Sequence, residues 1–543
     1  MKLFLTFLLS VLTLFFSSNN LSATPEPYSI ELQQIAMPGT PAIHSFAFAQ
    51  SNGRWLFVGG RTNGLHGFSA GTSFPKQYSN KNIFVVDPSS VQTYSRNIFT
   101  EYPFAKADPL RSANMQSFQD GNKLYVIGGY GYDSLSNSLV TFSSLTVFDV
   151  EETIQAIIAG TPINPYTRQI NDNRIKVCGG ELFKLGDYFY LAGGHNFTGD
   201  YTRFVNVQDY TNQIKKFKIN DNGVSVTISD YSVNIDSVEF HRRDMNVVPA
   251  IKPDGVTPYS ILYGGVFKVN SDLPYLNPIY IDGNGTTAVD FTFEQKMSQY
   301  TCSNLSAFNA TTGNMHTTFF GGTSLYYFNE ITQTQVLDTL VPFIDDITTL
   351  TRYSNGSSEE KISVTKFPVL LGTNAKFILD PAVPKYSNDV IKLNELSGRT
   401  YVGYIFGGIR ALYPNNTVSF PSDYIFKVYI TPNVIGINQI SSEIPSGFSM
   451  DQNYPNPFNP NTKIRYSIPE NNFVELKVYD AMGQMVQTLV NETQTAGTYE
   501  VNFDAQNVNG IALSSGIYYY KLSAGSAGNA GSFVETKRML MLK

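Results

Sequence analysis

Cysteine is nearly missing from this chain of 543 residues; Cys178 and Cys302 are the only two. A disulfide scaffold is therefore excluded. Histidine is scarce as well, with only His44, His66, His195, His241 and His316. No H-x-H or H-x-x-H pair occurs among them, so a metal centre would have to be assembled from distant segments. Charged residues make up 15% of the chain and the formal net charge is −6. No basic patch or stripe is present, so no nucleic-acid partner is expected. H-E-x-x-H, Walker and C-x-x-C sequences are all absent.

Long apolar runs are also lacking, with one exception at the start. Met1-Lys2 is followed by an apolar run to Phe16 and then by small and polar residues up to Ala23. A transmembrane anchor needs about 20 apolar residues, and this run is shorter. The pattern of a basic start, a short apolar stretch and a small-residue cleavage site predicts a secretory signal peptide over residues 1–23. No cysteine follows the apolar run, which argues against a lipoprotein. No transmembrane helix is expected in the mature chain.

What the chain has in abundance is aromatic residues, at 14%, and glycine, 42 in number. Six Gly-Gly pairs end short β-branched or aromatic runs. They are R-W-L-F-V-G-G at 54–60, K-L-Y-V-I-G-G at 123–129, Y-F-Y-L-A-G-G at 188–194, S-I-L-Y-G-G at 260–265, T-T-F-F-G-G at 317–322 and G-Y-I-F-G-G at 403–408. A seventh pair, Gly179-Gly180, lacks the preceding strand. Each counted run is strand-like and stops where the backbone needs glycine's freedom. Hairpins follow, as in Q-I-K-K-F-K-I-N-D-N-G-V-S-V-T-I-S from Gln213, with turn chemistry suited to tight β-turns. A further short strand precedes each pair, as in H-S-F-A-F-A from His44.

The repeating unit is thus four strands with Gly-Gly after the second. Such units stack around an axis as a propeller. The pattern resembles the kelch repeat, although these units are longer than the kelch period of about 50 residues. The expectation is an all-β chain, with a six-bladed kelch-like β-propeller over 24–435 followed by a small Ig-like β-sandwich. The last unit has no clear fourth strand, whereas S-I-E-L-Q-Q-I-A-M-P at 29–38 reads as one. The N-terminal strand is therefore expected to complete blade six, with 434–440 as the competing segment. Cys178 and Cys302 fall in blades three and five and are expected as free thiols beyond disulfide reach.

The kelch resemblance implies ligands over the central channel. The positions after each Gly-Gly are then candidates, namely Arg61, Tyr130, His195, Val266, Thr323 and Ile409, with Arg410 next. Arg61, Tyr130, His195 and Arg410 suit a carboxylate or a sugar. H-R-R-D at 241–244 adds Arg242, and Arg111 occupies a comparable place in blade two; guanidinium groups near the axis can clamp an acidic sugar. The alternative for these arginines is an ion pair such as that with Asp244. Copper radical oxidases of kelch type use two His, two Tyr and a Tyr-linked Cys, a set the dispersed histidines do not suggest. No catalytic residue, metal or cofactor is assigned.

From residue 453 the pattern becomes short alternating strands separated by turn signals, which suggests a small β-sandwich. It opens with N-Y-P-N-P-F-N-P, that is Asn453, Tyr454, Pro455, Asn456, Pro457, Phe458, Asn459 and Pro460. V-Y-D-A-M-G-Q, A-G-T-Y, S-S-G-I-Y-Y-Y and a basic last strand follow in order. Over 453–543 this resembles the type A sorting domain of the type IX secretion system, with 436–452 as linker. The resemblance implies the type IX machinery as partner, passage through the periplasm of a Gram-negative bacterium, and delivery outside the cell or to its surface. The propeller then reads as a passenger that binds a glycan or a surface protein. A carbohydrate-active enzyme (oxidase, epimerase or lyase) with its site at the channel mouth is the rival reading, and a structural surface component is the third.

Overall fold

Alternate residues of each Gly-Gly strand face opposite neighbours, and this arranges the repeats into a ring. The computed structural model describes residues 26–67, 69, 71–202, 208–415, 418–433, 438–441, 443–505, 513–525 and 533–542. The signal-peptide segment lies outside the described residues. The chain divides into two compact units, of which the larger is Pro27–Pro432. No helix among the described residues is long and apolar enough to cross a membrane.

The larger unit is a six-bladed β-propeller of antiparallel sheets. Blade one is Ala47–Ser51, Arg54–Val58, Asn82–Asp87 and Gln92–Asn97; blade two is Gln116–Asp120, Lys123–Ile127, Ser144–Asp149 and Thr167–Asn171. Blade three is Glu181–Leu185, Tyr188–Ala192, Gln213–Asp221 and Val226–Ile235; blade four is Asn246–Ile251, Pro258–Tyr263, Ile279–Asp282 and Thr287–Val289. Blade five is Ser303–Asn309, Asn314–Phe320, Ile347–Arg352 and Ser358–Ile362, with Ile391–Lys392 added in parallel. Blade six is Lys376–Leu379, Thr400–Phe406 and Ile425–Pro432, and its fourth strand is the N-terminal Tyr28–Ile35. First strands begin later than the sequence suggests: His44 and Cys178 precede them and bridge to Arg61 and His195.

Period-two geometry explains the packing. In Arg54–Val58, Leu56 and Val58 enter the core shared with blade two, while Trp55 and Phe57 enter the core shared with blade six. In Lys123–Ile127, Leu124 and Val126 face blade one, while Tyr125 and Ile127 face blade three. Six such cores alternate with six blades. The glycines tie neighbouring blades together by backbone bonds. The second glycine's N–H donates to a carbonyl of the next blade: Gly60 to Ser112, Gly129 to Val177, Gly194 to Arg242, Gly265 to Gln299, Gly322 to Leu371 and Gly408 to Ile43. The last of these returns to blade one. A Cβ on Gly60 would lie 2.3 Å from the His44 carbonyl oxygen at φ +86°, so no other residue fits there.

Among the described residues three short α-helices interrupt the all-β pattern: Ile98–Glu101, Phe104–Leu110 and Val150–Ala159. The longest places Val150, Ile154 and Ile157 on one buried face, has Glu151 and Glu152 in its first turn, and ends at left-handed Gly160. It packs into the core between blades one and two.

The smaller described unit is an Ig-like sandwich of two sheets. One orders Asn438–Ser441, Gly497–Asp504, Asn461–Ile468 and Ser449–Met450; the other orders Met485–Gln494, Asn472–Tyr479, Gly516–Gly525 and Phe533–Met541. Every second residue of Asn461–Ile468 and Asn472–Tyr479 is buried, and Ile464, Tyr466, Leu476, Phe503, Tyr520 and Leu522 meet in one core. Two strands therefore come from 438–450, where the sequence suggests only a linker. They pair with Thr498–Glu500 and with Tyr466–Ser467, giving the sandwich two outer strands.

The N-Y-P-N-P-F-N-P segment is ordered by this unit. Asn453 Nδ2 donates to Thr462 Oγ1 at 2.9 Å and to the Pro455 carbonyl, and Phe458 is buried against Phe503. Phe458 also exchanges backbone bonds with the last strand, donating to Leu540 and accepting from Leu542. The segment thereby latches the C-terminal strand in place.

Candidate functional site

One end of the propeller channel is widened by loops after the Gly-Gly turns. Blade two extends into a hairpin of Tyr130–Asp133 and Ser138–Thr141, and blade three into His195–Phe197 and Gln208–Tyr210. In blades one to four the residue after Gly-Gly bridges back onto the chain just before its first strand, as in Ala113 with Tyr130 and Arg243 with Val266. That chain turns through a left-handed residue in five blades: Ser45, Asn114, Gly179, Asp244 and Asn374. The unmatched Gly179-Gly180 pair belongs to this second turn.

The two turns together surround a cavity of about 500 Å³ to which all six blades contribute. Arg61, Tyr130, His195, Val266, Thr323 and Ile409 all line it, so the positions after Gly-Gly do meet at the mouth. Arg242 does not. It is fully buried, bonded to Glu239 Oε2 at 2.7 Å and to the carbonyls of Gly264 and Asn277, and stacked on Tyr275. Its neighbour Arg243 lines the cavity instead. Arg410 is likewise turned away, because strand alternation points Ile409 inward. Arg410 sits over Tyr424 and lies 3.8 Å from Asp423. Arg111 is buried on Asp108 at 2.5 Å. Within H-R-R-D the sequence reading singles out Arg242 where Arg243 and Asp244 line the cavity, and it does not single out His44 or Tyr300, which also lie before first strands. The recurrent Ser, Asn, Gly or Asp at the left-handed position is the signal that marks His44, Arg243 and Asp244.

Two cations set the electrostatics. Arg61 is only 4% exposed, yet no described carboxylate lies within 4 Å of it. Its Nε donates to Asn63 Oδ1 at 3.0 Å, one Nη donates to the Pro75 carbonyl, and the plane lies 4.9 Å from the Phe74 ring centre. Burial pulls its pKa down to about 10, which leaves it cationic at neutral pH. Arg243 donates to Tyr201 Oη at 2.7 Å and to His195 Nε2 at 3.2 Å, and faces the Phe267 ring. Its Nε lies 3.7 Å from Asp244 Oδ2, a loose contact rather than a paired fork. Burial opposes the Arg243 charge, but Tyr201 and Asp244 outweigh it and raise the pKa. Burial raises the Asp244 carboxyl, with Arg243 acting against it.

The histidines around these arginines are neutral. Burial and then Arg61 hold His44 down to about 3, burial holds His66 at about 4, and burial with Arg243 holds His195 well below its usual value. Because guanidinium can only donate, His195 Nε2 accepts and its proton sits on Nδ1. Burial raises Tyr130, whose hydroxyl donates to the Gly199 carbonyl. Cys178 and Cys302 are buried free thiols, each pushed up to about 12 by burial.

An aromatic wall joins the two arginines. His66 stacks on Phe74 at 4.8 Å and meets Tyr201 edge-on at 4.9 Å, and Phe74 meets Tyr130 at 4.9 Å. Phe197 closes the group at 5.3 Å from Tyr130 and 5.4 Å from Tyr201. The site thus offers fixed hydrogen-bond donors, ring faces and unneutralised positive charge. Among the described residues no three His, Cys, Asp or Glu side chains come together as a metal site.

In comparisons with known proteins, the FlgD Ig-like domain matches residues 461–528. No curated protein matches the sequence. Among solved structures, the chain is similar to YjhT at 11% identity, with a TM-score of 0.39 over 71% of this chain and 98% of that one. A fungal alcohol oxidase of the AA5 family, in complex with copper, is similar at 10% identity. Its TM-score is 0.34, and the match covers 95% of this chain and all of that one.

Proposed function

We propose that this protein is an exported β-propeller that binds an acidic sugar in the mouth of its channel. The observation that carries the reading is the pair of buried arginines, Arg61 and Arg243, without a tight carboxylate partner. Buried charges in proteins are ordinarily paired, so an unneutralised guanidinium lining a cavity calls for an anionic ligand. The aromatic wall supplies apolar faces for a sugar ring, and a volume of about 500 Å³ falls within the usual range for small-molecule sites. A glycan array probed with wild type and with Arg61→Gln tests this. Enrichment of acidic glycans that is reduced in the variant is the expected result. Equal capture of neutral glycans, or no capture, would refute it and favour a structural role. Turnover of a captured sugar would make the site catalytic.

The ordered motifs from N-Y-P-N-P-F-N-P to the basic last strand support a second element of the reading, a type IX sorting domain of the kelch-like passenger. With the N-terminal signal peptide they give a route through the periplasm to the cell surface or beyond. Removal of residues 453–543 is expected to strand the passenger in the periplasm, as fractionation would reveal. Surface delivery of that truncation contradicts the address.

A further inference from the structure

Resting on the acidic-sugar reading, we infer that the mouth holds a ligand with two anionic groups, one on each arginine, and with a sugar ring between them on the aromatic wall. Arg61 belongs to blade one and Arg243 to blade four, which stand opposite each other in a ring of six. The wall between them runs from His66 and Phe74 of blade one through Tyr130 of blade two to Phe197 and Tyr201 of blade three. Arg61 lies over one end of it, on Phe74, and Arg243 over the other, 5.5 Å from the Tyr201 ring centre. The two guanidinium groups thus sit at opposite ends of the aromatic wall, which places one anionic group at each end and a ring between them. Each retains donor capacity: Arg61 Nη1 bonds to no described residue, and each Nη of Arg243 carries a second N–H beyond the one given to His195 or Tyr201. Among the described residues the remaining carboxylates at the cavity are Asp244, 3.7 Å from Arg243 and accepting from Asn114 Nδ2 at 3.4 Å, and Asp272 at the exposed rim. Arg61 has no internal rival for an incoming anion. The ligand class is therefore a dianionic glycan unit, such as two linked uronic acids.

The test uses the full chain and calorimetric titration with digalacturonate, its monomethyl ester and its dimethyl ester. These three probes share one size and differ in charge. Digalacturonate is expected to bind on the order of tenfold to a hundredfold more tightly than the monoester, and the monoester more tightly than the diester. Arg61→Gln and Arg243→Gln are each expected to bring digalacturonate down to the monoester's affinity. The wild-type ladder across the three probes carries the test even where a variant folds poorly. Equal affinity for digalacturonate and monoester, or one arginine carrying the whole effect, overturns the two-anchor arrangement and leaves the acidic-sugar reading intact. Equal binding of all three probes, or binding of none, overturns both.

Discussion

Arg61 and Arg242 are both buried guanidinium groups, and their partners set them apart. Arg242 is locked to Glu239 and two carbonyls, so Arg242→Gln leaves a carboxylate unpaired and is expected to destabilise the propeller by about 3–5 kcal/mol. Arg61 has no carboxylate to strand, so Arg61→Gln is expected to destabilise less than Arg242→Gln while weakening anion binding. Urea denaturation of both variants checks the contrast. His316 supplies a pH signature. It is buried, bonded through Nδ1 to Thr351 Oγ1 at 2.9 Å, and held by burial down to about 3. Above the unfolded value of about 6.5 the folded and unfolded states are both neutral. Below it only the unfolded chain takes the proton, so this histidine makes the fold less stable as pH falls. His316→Asn removes that dependence. Its stability deficit relative to wild type should shrink by about 2 kcal/mol between pH 7 and pH 5, measured by denaturation at each pH.

At the scale of elements, the Gly-Gly turn does two jobs: it ends the second strand and bonds the next blade. A Cβ on Gly408 would meet Ala375 atoms at 2.7–2.9 Å with φ at +91°. Gly408→Ala is therefore expected to destabilise by more than about 1 kcal/mol, whereas Gly283→Ala, in open space, stays within about 0.5 kcal/mol. Chemical denaturation compares the two. In the sandwich, Phe458→Ala empties a buried site against Phe503 and is expected to cost about 3–5 kcal/mol, with a lower melting temperature of the C-terminal unit. The strands and their order were legible because β-branched and aromatic runs ended at glycines. The helix Val150–Ala159 was equally legible, since V-E-E-T-I-Q-A-I-I-A carries apolar residues at helical spacing and a glycine stop. It was overlooked because it interrupts a β repeat. The strands at 438–441 and 449–450 were less legible, because segments of four and two residues are too short to show a period-two pattern.

At the scale of the whole molecule, the ring closes twice. Tyr28–Ile35 supplies the outer strand of blade six, and Gly408 bonds back to Ile43. Closure brings residues hundreds of positions apart to one mouth, which is why the site was only half legible. The positions after Gly-Gly could be listed from sequence because the repeat marks them. Which of two adjacent arginines, Arg242 or Arg243, turns inward depends on the register of the turn before blade four, and that register is fixed by left-handed Asp244. The most direct measurement of the central claim is a crystal of the protein soaked with a uronic acid disaccharide. The account predicts sugar density on the wall of Phe74, Tyr130 and Tyr201, with carboxylate oxygens within hydrogen-bond distance of Arg61 and Arg243. Sugar bound elsewhere, or a mouth that stays filled with solvent at saturating ligand, would contradict it.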